Sequence, residues 1–225
     1  MRWSLTETAR SERRYPHGDL RRALLDAALA VLAEGGSAAL SLREVARRAG
    51  VSHAAPYRHF SSREALLAAV AEEGFRALRS AMLEVMDGRG GGPLDQLLAS
   101  GVGYVRFAVG HPTHFRVMFG AELVGQTDYP SLREAGHAAY ALLVSAIEAG
   151  QVAGLIREAP AQHLALTCWS ATHGLAMLFV DRQLEFQGVG VDQAELLAQL
   201  VVGGLYQGLR VSPVTKGAEP NLPPV

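Results

Sequence analysis

The stretch SLREVARRAGVSHAAPYRHF, residues 41–60, constrains the fold more than any other part of the chain. Ser41 is a good N-cap, and Glu44 three residues later completes the pattern of a capping box. Leu42, Val45 and Ala46 follow at helical spacing. Gly50 ends that helix, where a positive φ is cheap for glycine alone. Val51 is an apolar plug for the corner, and Ser52 can cap a second helix carrying His53, Ala54, Tyr57 and Arg58 and ending near Phe60. Small Ala46 and Ala49 allow the two helices to cross closely. Two helices joined by about three or four residues with a glycine make a helix-turn-helix, whose second helix enters the major groove of DNA. Pro56 bears on that second helix. In a helix interior proline costs about 3 kcal/mol, but with Ser52 as cap it closes the first turn and deletes only the first ladder bond. The expectation is a short, slightly distorted recognition helix.

Helical spacing governs the rest as well. Leu20, Ala23, Leu24, Ala27, Ala28, Val31 and Leu32 form one apolar stripe, predicting a first helix over 19–33 that Gly35 and Gly36 stop. Ser61 and Ser62 cap a long helix reaching Asp87, with Gly74 as a candidate bend. It starts at the DNA end and continues into the next domain, which makes it the mechanical link. After the flexible GRGGGP loop at 88–93, helices are expected over 94–109, 112–119, 131–153, 160–187 and 192–210, punctuated by Gly or Pro. No alternating strand pattern competes. The fold class is therefore all-α: a three-helix DNA-binding domain at 19–65, then a larger helical domain at 66–210. A polar arm over 1–18, with Arg10, Arg13 and Arg14, precedes them; it is either a disordered terminus or a minor-groove contact. A Pro-rich tail over 211–225 is expected to be disordered.

Charge is unevenly distributed. Residues 1–65 carry eleven arginines against seven carboxylates, whereas the remainder carries ten cations against fifteen. A basic end and an acidic remainder suggest that one end meets phosphate. The single cysteine, Cys168, excludes an intrachain disulfide framework and a Cys-rich zinc site. No apolar leader opens the sequence and no apolar run reads as a membrane span, residues 164–180 coming nearest; a cytoplasmic protein without membrane association is expected. No nucleophile motif, phosphate loop or cofactor signature is present, so neither an enzyme nor a bound cofactor is expected. His111 and His114 invite a metal reading, but no Cys or carboxylate accompanies them at ligand spacing, and none is assigned.

Ala49, Gly50, Val51, Ser52, Tyr57, His59, Phe60, Ser62, Glu64 and Leu66 match the pattern A-G-V-S-x-G-x-L-Y-x-H-F-x-S-K-E-x-L, and the chain resembles the tetracycline-repressor (TetR) family over about 45 residues. Ala54, Pro56 and Arg63 replace the usual glycine, leucine and lysine. The resemblance implies a DNA-binding regulator. Ser41 and Arg43 match positions near the phosphate backbone; Tyr57, His59 and Arg63 match positions that hold phosphates; His53 and Ala54 face bases; Arg58 is an additional contact. With no Asn, Gln or Lys on the recognition helix, His53 and Arg58 carry direct readout, helped by DNA shape. The resemblance also implies a homodimer through the last two helices, which hold more apolar and small residues than one narrow face requires. Its operator is then a pseudo-palindrome with recognition elements about 34–36 Å apart or a multiple of that.

Two stretches could line an effector pocket. Residues 104–119 supply Tyr104, Phe107, His111, Phe115, Met118 and Phe119. Trp169, His173 and Gly174 resemble the Trp-x-x-x-His-Gly signature of a C-terminal domain in this family, and Trp169 and His173 share a helix face with Met177 nearby. These residues line a pocket for a small apolar or amphipathic effector, or they pack an ordinary core. The leading reading is a homodimeric repressor released by such a ligand; the alternative is an effector-independent DNA-binding protein with a structural body.

Overall fold

In the computed structural model, which describes residues 17–123 and 128–209, every regular element is helical. The elements are α1 His17–Gly35, α2 Leu42–Ala49, α3 Arg63–Arg89, α4 Pro93–Gly110, α5 Pro112–Met118, α6 Pro130–Val152, α7 Ala161–Val180 and α8 Ala194–Leu209. The polar arm and the Pro-rich tail fall outside the described residues, except that His17 and Gly18 open α1. The chain divides into two compact units between Val70 and Ala71, inside α3.

The head, residues 17–70, is built on the stripe of α1. Leu24, Leu25, Ala28, Val31 and Leu32 are buried, as are Leu40, Leu42, Val45, Ala46, Phe60, Leu66 and Leu67. Burying such aliphatic side chains contributes roughly 1.5–3 kcal/mol each, which offsets the entropy of ordering so short a unit. Arg21 lies 5.6 Å from the Phe60 ring centroid, so a cation covers the apolar plug.

In the body, residues 71–209, α4 packs against α6, α7 and α8. Close approach explains its composition. A Cβ on Gly103 would stand 2.7 Å from the Met82 backbone, and one on Gly101 2.5 Å from the Val202 side chain. Gly74 is likewise a packing glycine: its missing Cβ leaves room for the Met118 thioether, and α3 continues through it without a break. The apolar character of α7 reflects packing on α4, α6 and α8.

One boundary differs by more than fraying. The sequence predicts a helix over 160–187, but α7 ends at Val180. The Gln183 N–H bonds the Leu178 carbonyl at 2.8 Å and the Arg182 N–H bonds Phe179 at 2.9 Å, with Arg182 at φ 58°. This is a Schellman closure with arginine in the left-handed position that glycine normally fills. Arg116 adds a bond to the Val180 carbonyl and another to Asp181 at 3.3 Å. The stop is thus fixed from a distant helix, and no local glycine announces it.

Candidate nucleic-acid interface and body cavity

The turn of the head forms as its residues dictate. Ser41 caps α2, its Oγ accepting from the Glu44 N–H at 3.1 Å. The Glu44 carboxylate is taken by Arg47, whose Nε and guanidinium NH2 donate at 2.8 and 2.6 Å. Gly50 stands at φ 70° and its N–H bonds the Arg47 carbonyl, while the Val51 N–H reaches Ala46 at 3.0 Å. Arg48 pairs with Glu34 of α1, one of its bonds measuring 2.7 Å. The partner arginine, through its hydrogen bond, holds each of these two carboxyls below the usual carboxylate range.

The recognition segment departs from the expected slightly distorted helix. Residues 53–55 form turns and Pro56–Arg58 a single 3-10 turn. Ala55 N–H bonds Ser52, Arg58 N–H bonds Ala55, and His59 N–H bonds Pro56, all with i→i+3 spacing. Proline removes the donor that would have reached Ser52, so the first α-turn cannot close in the ordinary way. Pro56 is instead fully buried, packing as an apolar anchor.

Burial then sorts the expected contacts. Ser41, Arg43, His53, Ala54, Tyr57 and Arg58 are exposed, Tyr57 at 56%, and His59 is half-buried. Arg63 behaves differently. Its Nε donates to the Leu40 carbonyl at 3.1 Å and its NH2 to Ser37 at 2.7 Å. This half-buried guanidinium closes the 37–40 turn onto the start of α3. Arg63 thus has an internal role in addition to the phosphate contact expected from its position.

The body holds a cavity of about 370 Å³, within the range usual for ligand sites. Phe75, Leu78 and Met82 of α3 line it at i, i+3, i+7 spacing; α6 contributes Gly136, His137, Ala139, Tyr140 and Leu143; Tyr104, Phe119, Leu166 and Trp169 complete it. Of the residues singled out from the sequence, Tyr104, Phe119 and Trp169 lie on the wall. The others do not. Phe115 is fully buried, Met118 fills the space at Gly74, and Phe107 lies beside exposed His111, their centroids 4.9 Å apart. Met177 packs against the main core. The α3 and α6 contributions were readable only as ordinary amphipathic stripes.

His173 stands behind the wall. Its Nδ1 is 2.8 Å from the Tyr104 hydroxyl, and the Trp169 Nε1–H donates to that same hydroxyl at 3.2 Å. Phe115 stacks on the His173 ring at 5.4 Å and Phe119 meets it edge-on at 4.5 Å. Burial lowers the His173 pKa and raises that of Tyr104, so the imidazole is neutral and the phenol protonated near pH 7. Trp169 and His173 thus join the pocket and packing roles: one forms the wall, the other braces it.

Both units have recognised relatives. Residues 24–70 match the family model of "Bacterial regulatory proteins, tetR family", and residues 97–203 match the "Tetracyclin repressor-like, C-terminal domain". The HTH-type transcriptional regulator BetI of Rhizobium meliloti is 41% identical over 66 residues, 29% of this chain and 32% of that protein, so the match spans about a third of its length. A protein of unknown function from Rhodococcus sp. RHA1 shares the fold at TM-score 0.76 and 36% identity, over 89% of this chain and all of that one. A regulatory protein of the tetR family from Rhodococcus RHA1 superposes at TM-score 0.69 with 22% identity, over 86% and 98% of the two chains, which bears on fold alone. The helix-turn-helix head with exposed cations and aromatics, the all-helical body, and matches to both domain models make this chain a member of the TetR family of DNA-binding transcriptional regulators and not an enzyme.

Proposed function

We propose that the protein is a cytoplasmic homodimeric repressor that binds a pseudo-palindromic operator and leaves it when a small molecule occupies the body cavity. The observation that carries the ligand-responsive half is the cavity of about 370 Å³, which a purely structural body would have filled with side chains. Ser41, Arg43, His53, Ala54, Tyr57, Arg58, half-buried His59 and Arg63 are the proposed DNA contacts, and the exposure of the first six supports that use. Phosphate contacts set affinity and register; His53 and Arg58 supply the base readout. The dimer reading is supported by the outward face of α7 and α8. Leu178, Leu196 and Leu200 are 42%, 57% and 61% exposed there, and Gly174, Gly203 and Gly204 have open space beside their Cα atoms. Ligand acts by binding the DNA-competent and incompetent states unequally.

The test is titration of a promoter fragment flanking the protein's own gene, at two salt concentrations, with wild type and Tyr57→Ala. Tight, salt-sensitive binding, weakened at least about tenfold by the substitution, is expected. No binding there and no enrichment in a genome-wide selection sinks the reading. Operator binding without release by any cavity ligand would favour the effector-independent alternative.

A further inference from the structure

The chemistry of the cavity wall narrows what can occupy it. Among its described lining residues the only side-chain polar groups are the Tyr104 and Tyr140 hydroxyls, the Trp169 indole N–H and the His137 imidazole; no described Lys or Arg lines it. All of these donors but His137 are already engaged. Trp169 has a single N–H, which points at Tyr104. The Tyr140 hydroxyl donates to the Gln162 carbonyl at 3.3 Å. The Tyr104 hydroxyl lies 2.8 Å from His173 Nδ1; we assign the shared proton to the phenol, the stronger donor, with His173 as the Nε2–H tautomer. Each bond in this Trp–Tyr–His chain polarises the next. Backbone donors give no relief. The lining residues sit within α3, α4, α6 and α7, apart from Phe119, whose N–H bonds Phe115 at 3.3 Å. What remains is acceptor capacity, the unused lone pairs of the two phenol oxygens. His137 is exposed.

Resting on the effector reading, we propose that the cavity selects a neutral, largely apolar molecule carrying a hydroxyl group and rejects the carboxylate of the same skeleton. A hydroxyl can donate to a phenol oxygen, and its hydrocarbon meets the aromatic and aliphatic wall. A carboxylate needs two or more donors when it leaves water, and this wall offers only the imidazole N–H of exposed His137. The volume sets the scale of the skeleton: it is more than twice that of the ~150 Å³ engineered cavity that takes benzene, which suits a bicyclic or a medium-length chain.

Three probes of one shape test this at pH 7.5 by calorimetry on the full chain: 2-naphthol, 2-methoxynaphthalene and 2-naphthoate. Naphthol is expected to bind about 100-fold more tightly than naphthoate, and about fivefold more tightly than the methyl ether, which keeps the ring and loses the donor. In Tyr104→Phe the indole N–H is released into the cavity, so the naphthol preference over both competitors shrinks; a merely structural role for Tyr104 would lower all three affinities together. Ala139→Phe, or Leu166→Trp if that variant does not fold, fills the cavity and abolishes naphthol binding. Naphthoate binding as tightly as naphthol overturns the ligand class and leaves the effector pocket standing. Naphthol binding that survives cavity filling overturns the site. Failure of all three probes to bind folded wild type sinks the ligand class and the effector reading together.

Discussion

The head and the body use polar side chains in opposite ways. In the head, apart from Arg48 and Arg63, which reach Glu34 and the 37–40 turn, they serve the chain locally and then face outward: Ser41 caps its own helix, Arg47 holds Glu44 one turn away, and Arg43, Tyr57 and Arg58 are exposed. In the body they are joined over long sequence distances. Tyr104 meets Trp169 and His173 from a helix more than sixty residues earlier, and Arg116 stops α7. A surface meant for phosphate gains from free donors, because its partner brings the acceptors. A cavity meant for an apolar molecule gains from having its donors occupied, because each free one costs desolvation.

This contrast can be broken by substitution. The largest effect is expected from Gly103→Ala. The new methyl meets backbone atoms of α3 that cannot swing away, so the body loses about 3 kcal/mol in denaturant unfolding, with hydrogen-exchange protection falling in α4. Arg63→Ala comes next, removing two charge-assisted bonds to carbonyls at 37 and 40 and costing the head about 2 kcal/mol. Arg63→Lys is expected to recover little of this, since a point charge cannot span both acceptors. Salt-independent destabilisation by Arg63→Ala would sharpen the internal role; loss of DNA affinity with unchanged stability would leave Arg63 with the phosphate contact alone. Ser41→Ala removes one cap and should cost about 1 kcal/mol, read as a lower melting temperature.

The smallest effect is a pH dependence. The folded pKa of His173 lies below its unfolded value because burial disfavours the imidazolium. The unfolded chain therefore binds more protons in the window below the ordinary histidine value, and stability rises with pH there. The contribution is complete above the unfolded pKa and is lost as pH falls through the folded one. His173→Gln should flatten this part of the stability curve between pH 7 and 5. An unchanged curve would remove His173 from the buried brace.

The residues around the turn were legible because their structure is local. Ser41, Glu44, Gly50 and the apolar spacing between them state a cap, a helix and a stop within one short window, and the all-helical class follows from the same periodicity along the chain. Pro56 was legible as a disturbance, but not its extent. A buried proline packed as an anchor, with a 3-10 turn in place of an α-helix, depends on the head core beneath it.

The pocket was legible only in part. Aromatic residues over 104–119 share one sequence neighbourhood, yet α4 and α5 direct them to different places, so Tyr104 and Phe119 reach the cavity while Phe115 fills the core. Phe75, Leu78, Met82 and the α6 residues join them because separate helices converge, and one sequence carries no sign of which stripes meet. What the sequence determined by itself is therefore everything set within a few turns of chain: helix identity, caps, the tight turn and the charge of the head. Tertiary structure alone decided the α7 stop at Arg182, the turning inward of Arg63, and a cavity most of whose donors are already bonded. The physical reason is range: capping and periodicity act over one or two helical turns, whereas cavities and donor saturation belong to surfaces that exist only after the helices have packed.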